Sequence, residues 1–169
     1  TISILLNFST LAAIMIVQTS LPSPIDDIII QATENGISYV GFYPPTSYTS
    51  TPLNKVTNSH VLSCVAQLNE YFAHTRTEFD LELDTGGTPF QQSVWQALQS
   101  VPFAKVATYK DIAIQLNNSK AVRAVGAANG KNPISIIVPC HRIIGANKKL
   151  TGYAGGLERK QWLLEHEAK

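Results

Sequence analysis

The sequence predicts an α+β protein in two parts, an N-terminal part built on an antiparallel sheet and a mainly helical C-terminal part. Three observations lead there. The 169 residues are 44% hydrophobic and only 15% charged, which excludes a charge-rich disordered chain and supports a packed core. Two β-rich runs, Asp27 to Thr33 and Ile37 to Tyr43, flank Asn35-Gly36, the strongest short-range hairpin signal. Beyond residue 87, successive helix-start signals dominate. Two cysteines are too few for a disulfide-stapled scaffold. A boundary at the Asp84-Thr85-Gly86-Gly87 stretch gives domains of 1–84 and 85–169, with 1–20 an unassigned apolar extension.

The elements follow in order. Residues 1–17 carry no charge and read as a buried strand or short helix. A membrane anchor or targeting remnant is the alternative, but no basic stretch precedes the segment, and Asn7, Ser9 and Thr10 interrupt it. After the hairpin, the Pro-, Thr- and Ser-rich residues 44–58 read as a loop. Ser59 to Phe72 is helical, with Val61, Val65, Leu68 and Phe72 on one face and Cys64 beside them as a core thiol. Phe79, Leu81 and Leu83 alternate with polar residues and read as a strand. Thr88, Pro89 and Gln91 form a capping box with proline at the first helical position. Phe90, Val94, Leu98 and Val101 continue that helix up to Pro102.

Thr108 caps a short helix, Tyr109 to Leu116, and Ser119 caps a second that runs to about Ala128, where Asn129-Gly130 stops it. Two short helices about a polar turn fit a helix-turn-helix. The second is rich in small residues (Ala121, Ala124, Gly126, Ala127, Ala128) and carries Lys120 and Arg123. Close packing against its neighbours and close approach to nucleic acid would both use such residues; the charge favours nucleic acid. Ile134 to Val138 reads as a buried strand ending in Pro139-Cys140-His141-Arg142, and a last helix begins at Leu157 with Leu157, Gln161, Leu164 and Ala168 on its face.

Charge is divided unevenly. Residues 1–104 hold two cations and eight anions, a net of −6; residues 105–169 hold eleven cations and four anions, a net of +7. Either the basic part meets a polyanion, or the two halves neutralise each other across an interface. At Cys140, the neighbouring His141 and Arg142 should lower the thiol's pKa and raise its thiolate fraction. Neighbours in a straight strand point to opposite faces, so His141 serves Cys140 only if the chain turns there or through a water. Glu167 opposes the macrodipole at the end of its helix. It is either a solvated end or the acid that orients His141 in a Cys-His-acid triad. No zinc-ligand spacing is present.

The run Val138-Pro139-Cys140-His141-Arg142-Ile143 resembles the active-site signature of the O6-alkylguanine-DNA alkyltransferases. Phe90 to Trp95, Thr108-Tyr109, Arg123 to Gly126, Asn132-Pro133, Gly152 to Leu157 and Trp162 to Glu167 match that family in order, over about 87–167. Ser23-Pro24, the hairpin and Phe79-Asp80 fit its variable N-terminal domain, which is ribonuclease-H-like. The resemblance implies irreversible transfer of an alkyl group from O6 of a flipped guanine in duplex DNA to Cys140, one turnover per molecule. His141 would take the thiol proton through a water and Glu167 would polarise His141. Asn132 would tie the recognition helix to the active-site turn, and Tyr109 would protonate the departing guanine. Arg123 would fill the gap left by the flipped nucleotide, with Ala124, Gly126, Ala127 and Thr108 also at the DNA, approached through the minor groove. Tyr153, Ala154, Val138 and Trp95 would wall the alkyl pocket. The implied protein uses no cofactor and no metal, acts as a monomer or cooperatively along DNA, and works in the cytoplasm, or the nucleus of a eukaryote. Ala104 stands where the family has glycine, a change expected to stiffen or shift the turn without touching a catalytic group. A lesion-flagging relative without transfer, a thiol hydrolase and a helix-turn-helix regulator are the rival readings; the first lacks the acceptor cysteine that this chain has.

Overall fold

The computed structural model describes residues 15–45 and 49–169; most of the charge-free N-terminal stretch therefore lies outside the described residues. β1 (Val17–Leu21), β2 (Ile28–Ala32) and β3 (Ile37–Gly41) form an antiparallel sheet in the order β1-β2-β3. The β2–β3 pair is the hairpin expected around Asn35-Gly36, with a register shift between Gln31 and Ala32. Gly36 allows a close crossing: a Cβ there would lie 2.7 Å from the Glu82 carbonyl oxygen. Residues 44–45 and 49–58 are loop apart from a 3-10 turn at Leu53–Lys55. α1 (Ser59–Phe72) starts at an Asn58 cap and packs on the sheet through Val61, Cys64, Leu68 and Tyr71.

Phe79 to Leu83 is not a strand. Only Leu83 bridges Ile37 in parallel, held by Ile37 N–H to Glu82 O (2.9 Å) and Asp84 N–H to Ile37 O (2.7 Å). The edge of β3 is shared, because Val40 N–H donates to Pro133 O and Ser135 N–H donates to Val40 O. Two chain segments thus cover an edge that one full strand would otherwise occupy, and the second ties the C-terminal part to the sheet.

α2 (Pro89–Leu98) has the expected Thr88/Gln91 capping box, and α3 (Tyr109–Gln115) has one from Thr108 and Asp111. α4 spans Val122–Gly130. Ser119 does not cap it: Ala121 N–H closes a turn onto Asn118 O, so the helix starts three residues later. Gly130 stays helical; the helix ends at Lys131, before the residue that precedes Pro133, a position biased away from helix. β4 (Ala107–Thr108) pairs in parallel with β5 (Ile143–Ile144).

Ile134 to Val138 is buried throughout but is a turn. Val138 N–H returns to Ile134 O, and Ile136 sits at φ 73°, an uncommon conformation for a β-branched residue. α5 (Leu157–Glu167) buries Lys160, Leu163, His166 and Glu167, whereas Leu157 is 49% exposed. The face expected from apolar spacing is therefore rotated, because three of the inward positions, Lys160, His166 and Glu167, are polar groups satisfied by hydrogen bonds. Among the described residues no helix is long and apolar enough to cross a membrane.

Candidate active site and nucleic-acid interface

A 3-10 turn, Cys140–Arg142, is the centre of the site. Asn132 builds the approach to it. Its Nδ2 donates to Val138 O (2.8 Å) and Ile134 O (3.2 Å), and Ile134 N–H donates back to its Oδ1 (3.0 Å). One side chain therefore closes the 134–138 turn that an isolated reading of apolar residues makes a strand. Cys140 N–H then bonds Val138 O, and the chain bends where His141 needs it to bend. Asn129, at the end of α4, adds a bond from Nδ2 to Cys140 O at 3.5 Å.

His141 is wholly buried and its Nε2 lies 2.6 Å from Glu167 Oε2. Arg142 grips the same carboxylate as a fork, Nε to Oε1 at 2.7 Å and Nη2 to Oε2 at 3.2 Å, while Nη1 donates to Val101 O. The guanidinium supplies the countercharge that makes a buried anion tolerable at the wrong end of a helix dipole. Burial works against ionising Glu167, but the hydrogen bond from His141 and the hydrogen bonds and charge of Arg142 outweigh it and hold the carboxyl well below the usual carboxylate range. Burial lowers the pKa of His141 despite the opposing pull of Glu167. The resting pair is a neutral imidazole donating Nε2–H to a carboxylate, and Nδ1, buried without a hydrogen-bond partner, is left as the free lone pair. Glu167 is thus no solvated helix end.

The thiol departs from expectation. Cys140 is 2% exposed, and burial pushes it up to about 11, against smaller lowering effects from the Asn132 amide and the Lys160 charge. Arg142 does not act on the thiol as a free cation, because it is spent on Glu167. Lys160, fully buried and lowered to about 8 by that burial, donates to Ile143 O and, at 2.7 Å, to Thr151 O. It anchors the loop that leads to Tyr153. Ala104 also departs from expectation. It adopts φ 61°, and its N–H lies 3.3 Å from Glu167 Oε1, so this position touches the Glu167 carboxylate through its backbone.

Tyr153 is buried, and that burial together with nearby Cys140 raises its phenol. Ala154 is exposed. Tyr109 donates its hydroxyl hydrogen to Thr151 O (2.9 Å), which joins α3 to the same loop. Val138 and Trp95 line a cavity of about 370 Å³ with Asn132, Gln92 and Leu83; neither Cys140 nor Tyr153 borders it. Trp95 Nε1–H is held by Ala128 O, between α2 and α4.

On α4 the buried side is Val125, Ala128 and Asn129, while Arg123, Ala124 and Ala127 are exposed and Gly126 is half-buried. Ala124 and Ala127 are therefore not small in order to pack against the protein. Thr108 uses its hydroxyl oxygen as the cap of α3. Lys105, Lys110, Lys120, Arg123, Lys131, Lys148 and Lys149 are exposed, and none enters an ion pair among the described residues; Arg159 to Asp26 (2.8 Å) is the one pair that joins the basic and acidic parts. The two parts do not neutralise each other by pairing.

Sequence reading missed Arg142 as the partner of Glu167, Tyr71 (a third donor to that carboxylate), Lys160 and Asn129. Nothing local signals Lys160, because it sits in the polar run Glu158-Arg159-Lys160-Gln161 and looks solvated.

Both halves of the chain match known proteins. Residues 16–85 match the model of the 6-O-methylguanine DNA methyltransferase ribonuclease-like domain, and residues 89–169 that of the 6-O-methylguanine DNA methyltransferase DNA-binding domain. A methylated-DNA–protein-cysteine methyltransferase of Methanosarcina acetivorans is 47% identical over 146 residues, covering 86% of this chain and 94% of that one. The crystal structure of the Mycobacterium tuberculosis O6-methylguanine methyltransferase superposes with a TM-score of 0.81 at 44% identity, over 91% of this chain and 93% of that one. A structure of that organism's OGT in complex with DNA gives 0.80 at the same identity, over 89% and 92%. With family models matching residues 16–85 and 89–169 and a relative 47% identical over 94% of its length, the chain belongs to the 6-O-methylguanine DNA methyltransferase family.

Proposed function

We propose that this protein repairs DNA directly by moving an alkyl group from O6 of a guanine in duplex DNA to Sγ of Cys140. The observation that carries the reading is the buried succession of thiol, imidazole and carboxylate, in which Nε2 of His141 is committed to Glu167 and Nδ1 is left to accept a proton. Cys140 is 2% exposed, so only a group inserted into the protein reaches it. A stacked guanine cannot present its O6-alkyl carbon in line with that sulfur, and extruding the base costs a few kcal/mol.

Arg123, on the exposed side of α4, fills the vacated stack and offsets part of that cost. Ala124, Gly126 and Ala127 keep that face thin enough for a minor groove about 6 Å wide, with α3 and α4 acting as the helix-turn-helix and Thr108 at its entry. The exposed cations add affinity that is independent of sequence and weakened by salt. Tyr153, Ala154, Val138 and Trp95 are proposed to shape the pocket and its rear wall.

In the chemical step the thiol proton passes through a water to His141 Nδ1, Sγ bonds the alkyl carbon, and the carbon–O6 bond breaks. Tyr109, after exchanging its bond to Thr151 O for one to the base, gives a proton to the leaving guanine and is reprotonated from the relay. The net change is one S–H and one C–O bond exchanged for one C–S bond and one N–H bond on guanine. The thioether has no regenerating group beside it, so each molecule reacts once. The protein acts as a monomer on DNA, alone or cooperatively, wherever the genome lies: the cytoplasm, or a nucleus.

Intact-mass measurement and peptide mapping after incubation with a duplex containing O6-methylguanine test this reading. One methyl per protein on Cys140 is expected, with Cys140→Ala unmodified but still bound to the duplex. Equal transfer by Cys140→Ala and the parent would overturn it.

A further inference from the structure

The Glu167 carboxylate has a donor that comes from the other half of the molecule. Tyr71, on α1, donates its hydroxyl hydrogen to Oε2 at 2.7 Å, the same oxygen that accepts His141 Nε2–H at 2.6 Å. The two residues lie 96 positions apart in the chain. Tyr71 is fully buried, with the rings of Phe72, Phe79, Phe103 and His166 centred between 5.1 and 6.2 Å from its own. We propose that Tyr71 is a positioning residue for alkyl transfer: its hydroxyl shares Oε2 with the imidazole and sets both the aim of His141 and how strongly the carboxylate draws on the Nε2 proton. This rests on His141 being the base that serves Cys140.

The acceptor arithmetic supports a shared load. A carboxylate offers about four lone-pair sites. Here it meets Tyr71 O–H, His141 Nε2–H, both forks of Arg142 and Ala104 N–H. With every site taken, removing one donor leaves more negative charge for the rest. Of these five, the phenol shares Oε2 with His141 at 2.7 Å, so its loss is felt most by the imidazole. The charged and titratable groups facing His141 are otherwise Arg142 and Cys140 on its own turn and Glu167 and Lys160 on α5; α1 contributes Tyr71. The relay is complete only when α1 is docked, which gives the N-terminal half a part in the reaction beyond support.

The test is the pH dependence of single-turnover transfer by the full chain from an O6-methylguanine duplex. Tyr71→Phe keeps the ring and removes the donor. A more basic carboxylate then favours imidazolium, so the acid limb should move to higher pH by about half a unit, the part of one charge-assisted hydrogen bond that passes to the imidazole. Tyr71→3-fluorotyrosine keeps the hydroxyl, makes it a stronger donor and should move the limb to lower pH; it also decides the matter if the phenylalanine variant does not fold. Limbs that coincide with the parent's after scaling, whatever the loss in rate, would reduce Tyr71 to packing and overturn the proposal. A separate control, His141→Gln, tests the underlying reading: an acid limb unchanged in that variant would remove His141 as the base irrespective of Tyr71.

Discussion

Replacing Asn132 with alanine removes the clasp of the active-site turn, and its cost can be worked bond by bond. Ile134 N–H has Asn132 Oδ1 as its acceptor (3.0 Å); left buried and unpaired, such a donor costs about 1–3 kcal/mol. The two carbonyls that Nδ2 serves are each retained by a second donor, Ile134 O by Val138 N–H and Val138 O by Cys140 N–H. Their loss is therefore the net value of an ordinary hydrogen bond, about 0.5–1.5 kcal/mol each. The total is about 2–6 kcal/mol, large against the about 5–15 kcal/mol that keeps a typical protein folded. For a chain of this size that is a fall in Tm of about 5–20 °C. Calorimetry or urea titration measures the loss. Single-turnover transfer at a temperature where the variant stays folded should also fall, since the turn aims Cys140. A variant within about 0.5 kcal/mol of the parent, the range of an ordinary surface change, would refute the claim that Asn132 rather than apolar packing closes the turn.

Two further predictions concern the same network. In the fold the pKa of His141 is below 6.5, the value of the unfolded chain, so on acidification the unfolded state takes up its proton first and stability falls as pH drops through that value. Glu167, depressed from 4.5, adds a second loss as pH falls below that figure toward its folded value; a Tm that stays flat from neutral pH through this window would contradict both assignments. Ala104→Gly should stabilise the protein. A non-glycine residue at φ 61° carries about 1–2 kcal/mol of strain, of which glycine's looser unfolded chain takes back about 0.5–1 kcal/mol. The net gain is about 0–1.5 kcal/mol, a rise in Tm of up to about 6 °C, and a lower Tm would show that the turn is not strained.

Elements that announce themselves by local chemistry were readable from the sequence: the Asn35-Gly36 hairpin, α1 to its end residues, and the Thr88 and Thr108 caps. What escaped depends on partners far along the chain. Ile134 to Val138 has a strand's composition, yet Asn132 folds it into a turn. Phe79 to Leu83 alternates as a strand does, yet finds only Ile37 to pair with. On α5, Lys160, His166 and Glu167 look like a solvated face until their acceptors and donors are known, from Ile143 O to Tyr71 and Arg142. Within the candidate site, Cys140, His141 and Glu167 were each legible as chemistry. The ionic state of the thiol was not, because it is set by complete burial and by Arg142 being engaged elsewhere.

That burial has a consequence for what the protein survives. A thiol raised from 9.0 to about 11 holds about a hundredfold less thiolate near neutral pH, and thiolate is the form that peroxides and small soluble electrophiles consume. Stray reagents meet a sulfur that is shut away and protonated, while in the proposed reaction an alkyl carbon inserted beside it finds His141 as the base that takes the proton. The shelter that slows the bare thiol is what keeps it unspent until its own substrate arrives.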